Sequence, residues 1–151
     1  DKAPLAVGEC GLDKLCDTDW VVQLYTFRAQ IWLAEKYNKP LIIHCVRAFQ
    51  ECLKELKDFR GNVVFHGFNK NEQLLNQLMS FENVFVSFGE GVFNSRSEAI
   101  VRNCDLSKIF LETDDAAVGI DKVYVRVSEI RGVSITQLKD QIELNRNVFF
   151  S

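Results

Sequence analysis

The sequence predicts an α/β fold of parallel strands joined by helical crossovers, arranged either as an open doubly wound sheet or as a (β/α) barrel. Three observations carry this. Five short apolar runs rich in Val, Ile and Phe recur along the chain. Stretches with helical periodicity separate them, and each strand–helix unit takes 22 to 35 residues, enough for a right-handed crossover between parallel strands. No glycine-rich GxGxxG or P-loop turn follows the first run, so the usual nucleotide-binding warrant for the open sheet is missing.

The first run, "LAVGE" at 5–9, follows Pro4 and ends on an acid. A helix comes next, with Trp20, Leu24, Phe27, Ile31 and Ala34 on one apolar face at steps of four and three, which reads as core. "PLIIHC" at 40–45 is the second strand, and Phe49, Cys52, Leu53 and Leu56 mark the helix after it. "NVVFHG" at 62–67 is the third, followed by a short helix around Leu74, Leu75 and Leu78. "NVFVSFG" at 83–89 is the fourth; Ser95 with Glu98 then forms a capping-box pattern before Ile100. "KIFLETD" at 108–114 is the fifth. Residues 121–130 fit either period, since Val123, Val125 and Val127 alternate while Val123, Val127 and Ile130 share a helical face; a helix is expected. Ser134 and Gln137 box the start of a last helix with Ile135, Leu138, Ile142 and Phe149 inward.

Composition bounds the function. With 151 residues, 47% of them apolar and twelve Phe, the chain can build the core of one domain. A net charge of −3 gives no bulk basic field to hold nucleic acid non-specifically. Attraction to a phosphodiester would need a local cluster or a metal ion. Five cysteines (10, 16, 45, 52 and 104) form no CxxC and are expected as free thiols in the cytoplasm. No apolar run approaches the ~18 residues of a membrane span, and no signal-peptide pattern is seen. The chain opens without Met, and a preceding N-terminal segment is expected.

The strand ends carry the chemistry. Glu9, His44, His66 and Asp114 close four of the five runs, and the two histidines are the only ones in the chain. Parallel strands present their carboxyl ends to one side, where sites assemble from several strands. Two imidazoles and two carboxylates there form a mixed N/O set suited to Zn, Mn or Mg rather than to a structural thiolate site. Such an ion makes water more acidic and stabilises charge on a phosphoryl or carbonyl oxygen. Each residue also has a plainer reading: a strand-end His is often a hydrogen-bonded structural group, and an acid there often caps the next helix. Cys10 and Cys45 alternate with their neighbours and point off the mouth. Glu90 reads as a solvated loop acid. Arg47, and less so Lys14 and Lys70, could contact an anion.

"GECGLDK", "KPLIIHCVRA", "VVFHGF" and "IFLETDD" resemble, in order and spacing, the motifs of the TatD family of metal-dependent deoxyribonucleases, TIM barrels of amidohydrolase type. "ITQLKDQIELNRNVFF" resembles the family's last helix, so the resemblance covers essentially the whole chain. It implies one domain over 1–151 and a metal-dependent hydrolase. Glu9 would bridge two divalent ions, His44 and His66 would hold one, and Asp114 would serve the other or orient the attacking water. Asp13 would stand behind the ligands; Arg47, one residue past the family's Arg position, is still within reach of the mouth. Three departures qualify it. The family's opening His-x-His strand is missing, so the chain matches the barrel from its third strand, lacking two βα units and one ion's imidazoles. Val46 and "HGF" stand where relatives carry Arg and His-Cys-Phe, and Asp115-Ala116 replaces a small residue and Pro. DNA is the expected substrate, with a small ester or amide, or a non-catalytic binding module, as alternatives. The two unpaired barrel edges imply a homo-oligomer or association with an N-terminal segment.

Overall fold

The structure, a computed structural model, describes residues 4–151. They fall into two compact units, one running through His66 and the other beginning at Gly67.

In the first unit, strands β1 (Val7–Asp13), β2 (Leu41–Val46) and β3 (Val63–Phe65) are connected by helices α1 (Trp20–Tyr37) and α2 (Phe49–Glu55). All three strands are parallel, β1 on β2 and β2 on β3. β1 runs later than the apolar run suggests. It continues past Glu9 because Gly11, Leu12 and Asp13 pair with His44, Cys45 and Val46, after a register slip between Val7 and Cys10. Glu9 and His44 therefore lie within strands, whereas His66 directly follows one. Leu12, Leu41, Ile43 and Phe65 are fully buried and meet Phe27, Ile31 and Ala34 of α1 and Cys52 of α2 as the core. Phe49 stacks on Phe65 at 5.4 Å between ring centroids. Asp19 caps α1 by accepting from the amides of Val21 and Val22, and Asn38 ends it in the left-handed conformation, which Asn tolerates.

In the second unit, α3 (Glu72–Met79) leads to β4 (Val84–Phe88), then to α4 (Glu98–Asn103), β5 (Ile109–Leu111), α5 (Ile120–Arg131) and α6 (Ile135–Phe149). β4 and β5 are parallel, Val86 opposite Ile109 and Phe88 opposite Leu111. Every residue of β4 is buried, as a strand covered on both faces requires. Phe85, Phe110 and Phe149 form a three-ring cluster with centroids 5.3–5.6 Å apart. Residues 121–130 are helical, with Val123, Val127 and Ile130 inward. The Ser134–Gln137 capping box forms: the Ser134 amide donates to Gln137 Oε1 at 2.9 Å, and the Gln137 amide donates to Ser134 Oγ at 3.2 Å. The Ser95–Glu98 box does not. Asn94 takes the capping role for a short 3-10 turn at Ser95–Ser97, and Glu98 turns instead to Arg102 and Arg126. Asn94 is as good a cap as Ser95 and stands one residue earlier, so the helix entry shifts.

Candidate metal centre

The carboxyl half of the first unit's sheet gathers three of the four strand-end residues. His44 Nδ1 lies 3.0 Å from His66 Nε2, and Glu9 Oε2 lies 3.4 Å from the same His66 nitrogen. All three ligand atoms fall within 4.8 Å of one another. Donors held at ~2.1 Å from a common ion are separated by roughly 3.0–3.4 Å when they occupy neighbouring coordination positions. The two measured separations match that range, so the residues fit a divalent ion. His66 is the buried member, its side chain 10% exposed, while His44 and Glu9 are 44% and 52% exposed. An ion held there would face solvent on one side, as a catalytic rather than a closed structural site requires.

The local fold explains the convergence. Gly11 has φ +145° and sits so close to β2 that a Cβ there would fall 2.0 Å from the His44 carbonyl oxygen. That contact sets Glu9, two residues earlier on β1, beside His44. Asp13, next on the same face of β1, reaches His44 Nε2 with its Oδ2 at 3.6 Å. At that distance the carboxylate faces the far nitrogen as an ion-pair partner rather than a hydrogen-bond acceptor, and the near nitrogen is left for a ligand. Asp13 is itself held: its amide donates to Gln23 Oε1 at 2.8 Å, Gln23 Nε2 donates to its carbonyl at 2.9 Å, and its Oδ1 accepts from Leu15 N at 2.6 Å. A concavity of about 500 Å³ lined by Glu9, Asp13, Cys16, Gln23, Gln30 and His44, among others, opens beside these residues.

Asp114 belongs to the second unit, where it follows β5 with φ +46°. It lines a concavity of about 300 Å³ together with Asn69, Glu90, Glu112 and Asp115. Glu90 is exposed there, a loop acid at a mouth. Two further residues of this concavity's surroundings escape a reading of strand ends. Glu112 Oε2 accepts a hydrogen bond from Ser87 Oγ, and Ser87 Oγ in turn accepts from the Gly67 amide at 3.2 Å. Glu112 directly follows β5, and Asp114 reaches the same concavity from the turn after it. Arg47 is exposed just after β2, with φ +52°. Left-handed backbone at a non-glycine residue costs of order 1–3 kcal/mol and concentrates at functional positions; both Arg47 and Asp114 carry it.

Cys10, Cys52 and Cys104 are held as neutral thiols. Burial pushes Cys10 and Cys104 up to about 12. Cys52 is raised by its hydrogen bond to Cys45, with Sγ atoms 3.6 Å apart, and by burial. Cys45 thus faces α2 while His44 faces the rim.

This is an α/β chain with a two-imidazole, one-carboxylate cluster at the carboxyl side of parallel strands, and comparison with known proteins gives the class a family. The family model described as TatD related DNase matches residues 1–151. The chain belongs to that family. An uncharacterized metal-dependent hydrolase of Methanocaldococcus jannaschii is 25% identical over 97% of this chain and 62% of its own length. A 3'-5' RNA nuclease of Homo sapiens is 33% identical over 73% of this chain and 16% of its own. A 3'-5' ssDNA/RNA exonuclease of Erwinia tasmaniensis is 28% identical over 73% of this chain and 45% of its own. In fold, a TatD family hydrolase from Entamoeba histolytica superposes with a TM-score of 0.81 at 18% identity, covering 96% of this chain and 62% of that one. A TatD homologue from Escherichia coli gives 0.82 at 24%, covering 96% and 63%. The fold is thus TIM-barrel-like α/β, and the chain spans less than two thirds of the length of these relatives. No helix among the described residues is long and apolar enough to cross a membrane.

Proposed function

We propose that the chain, acting as one domain over 1–151, is a metal-dependent nuclease that hydrolyses phosphodiester bonds of single-stranded DNA or RNA. The observation that carries this reading is the spacing of His44, His66 and Glu9, with ligand atoms 3.0 and 3.4 Å apart along the cluster. These three residues would hold one divalent ion. Two nitrogens and one oxygen favour zinc or manganese over magnesium, which prefers oxygen. When bound, such an ion supplies Lewis acidity, offsetting charge on a phosphoryl oxygen and making water a stronger acid.

The chain's own residues do the rest. Asp13 keeps the His44 ring turned so that Nδ1 faces Glu9 and His66, and Gln23 keeps Asp13 in place. Asp114 accepts a proton from the attacking water, a role suited to an exposed carboxylate on a constrained backbone. Asp114 would be the second unit's carboxylate ligand for a further divalent ion. Arg47 contacts a backbone phosphate of the substrate; a guanidinium matches phosphate oxygens in charge and geometry. The names of the human and Erwinia relatives, both nucleases, support this substrate class. Free thiols at all five cysteines support a reducing, cytoplasmic setting.

The test pairs metal content with activity. The purified chain is expected to bind about one Zn or Mn per chain and to shorten a labelled single-stranded oligonucleotide when supplied with that ion. His44→Ala removes both properties, and Asp13→Asn lowers metal affinity roughly 10- to 100-fold. Unchanged metal uptake in His44→Ala would sink the site. Hydrolysis of small esters or amides with oligonucleotides untouched would move the chain to another substrate class.

A further inference from the structure

Strand β4 is apolar at four of its five positions, and the exception is Ser87, buried at 3% exposure. A buried hydroxyl is costly unless it is hydrogen-bonded. Ser87 is bonded twice. Its Oγ donates to Glu112 Oε2 and accepts from the Gly67 amide at 3.2 Å. The direction is fixed, because an amide can only donate and the one hydroxyl proton is left for the carboxylate. Bonds in such a chain polarise one another, so the carboxylate at one end strengthens the hold on the amide at the other. Glu112 is itself tied to β4. Its amide donates to the Phe88 carbonyl at 3.1 Å, and its Cγ lies 3.4 Å from the position a Cβ would take at Gly89. While Oε2 holds Ser87, Oε1 stands 3.6 Å from the Cβ position of Gly67. The relay therefore bears on a single turn.

That turn follows His66 directly. Gly67 has φ +59°, left-handed backbone that glycine adopts without steric cost. Its nitrogen shares a rigid peptide plane with the His66 carbonyl. On the other side of the His66 Cα, the His66 amide donates to the Ile43 carbonyl at 3.0 Å. A Cα whose two flanking peptide planes are both anchored has one direction left for its Cα–Cβ bond. We propose, on the reading of Glu9, His44 and His66 as ligands of a divalent ion, that Glu112 is a positioning residue for that centre. Through the Ser87 hydroxyl it fixes the peptide plane after His66, and with it the aim of the His66 ring. His66 Nε2 is the atom that both other ligands approach, Glu9 Oε2 at 3.4 Å and His44 Nδ1 at 3.0 Å. A ring that swings there misplaces the ion against both. Groups that orient a ligand from behind typically carry roughly 10- to 100-fold in metal affinity.

Titration of the 151-residue chain with Co(II) tests the proposal, because the visible bands of that ion report affinity and ligand geometry together. Ser87→Ala, which removes no ligand, should bind Co(II) about tenfold more weakly than the parent, with altered bands. Glu112→Ala should match it. The double variant should be no weaker than either single one, since both break the same chain. Glu112→Gln keeps an acceptor for the Ser87 hydroxyl and should recover most of the affinity. In metal-free samples, hydrogen exchange at the Gly67 amide should accelerate at least tenfold in both alanine variants, while the amides of Phe27 and Ile31 keep the parent rates. A loss of stability alone would speed exchange at all of these amides and leave the bands of the folded chain unchanged. Should Glu112→Ala fail to fold, Ser87→Ala, which deletes one oxygen, carries the comparison. Parent-like Co(II) affinity in Ser87→Ala, additive losses in the double variant, no recovery in Glu112→Gln, or a Gly67 amide at the parent rate would each overturn the relay. A parent chain that takes up no Co(II) would overturn the metal centre itself, and the relay with it.

Discussion

Two glycines separate steric from conformational cost. Gly11 (φ +145°) would place a Cβ 2.0 Å from the His44 carbonyl oxygen, whereas Gly132 (φ +66°), the left-handed end of α5, has nothing within 4 Å of its Cβ position. A side chain at Gly132 therefore costs only the left-handed backbone, about 1–2 kcal/mol. At Gly11 the same kind of strain is joined by a main-chain collision that no rotamer can relieve, since the atom struck is backbone in the paired strand. Gly11→Ala should cost at least 3 kcal/mol and should lower metal affinity, because β1 must retreat from His44. Urea denaturation of both variants checks this; equal midpoint shifts would show that the β1–β2 approach does not constrain the site. The residues most legible in the sequence are of the same neighbourhood. His44 and His66 stand out because imidazoles are scarce here and both close apolar runs. Gln23 did not stand out, since a glutamine on a helix reads as solvent-facing until the chain closes and brings the Asp13 backbone to it.

Among the elements, α6 shows where periodicity stops informing. Of its four expected inward positions, Leu138 and Phe149 are buried and Ile142 half-buried, whereas Ile135, in the first turn, is 38% exposed. Asn145 occupies the same face at 2% exposure, a position an apolar pattern would assign to Leu. Its Nδ2 donates to the Leu106 carbonyl at 2.7 Å and to the Ile109 carbonyl at 2.8 Å, and its Oδ1 accepts from Gln141 at 2.8 Å. It thereby satisfies the loop that delivers the chain into β5. Leaving buried carbonyls unmet costs about 1–3 kcal/mol each, so Asn145→Leu should lose roughly 2–4 kcal/mol despite gaining apolar volume, while the half-buried Gln141→Ala stays within about 1 kcal/mol. Stability gained in Asn145→Leu would remove this anchoring role. The helix α1 teaches the converse. Its Trp20–Phe27–Ala34 stripe was legible as core, but a second stripe through the exposed Tyr25 and Trp32 was hidden by it, because periodicity reports the sum of two opposed faces as a weak one. The Ser95–Glu98 box failed for a local reason, competition from Asn94, which only the backbone path decides.

For the molecule as a whole, charge and metal set what can be measured without knowing the substrate. A net charge of −3 denies the chain a long-range field for polyanions, so oligonucleotide affinity should depend on the ion and on a few local cations. Each phosphate neutralised contributes ~−0.7 to the slope of log K against log salt for a single strand; a slope between about −1 and −2 is expected, where a basic groove would give a far steeper one. The same ion should hold the fold, because Glu9, His44 and His66 come from three strands that an unfolded chain keeps apart. An ion present at ~100 times its Kd stabilises the native state by ~2.7 kcal/mol, which for a chain of this size is about 5–10 °C in Tm. Chelation should therefore lower Tm by that amount and readdition of Zn or Mn restore it, while His44→Ala should melt at one temperature with or without chelator. Scanning calorimetry on the four samples decides it. A chelator shift that persists in His44→Ala would mean the stabilising ion sits elsewhere, and the cluster at the strand ends would then be a set of hydrogen-bonded structural residues.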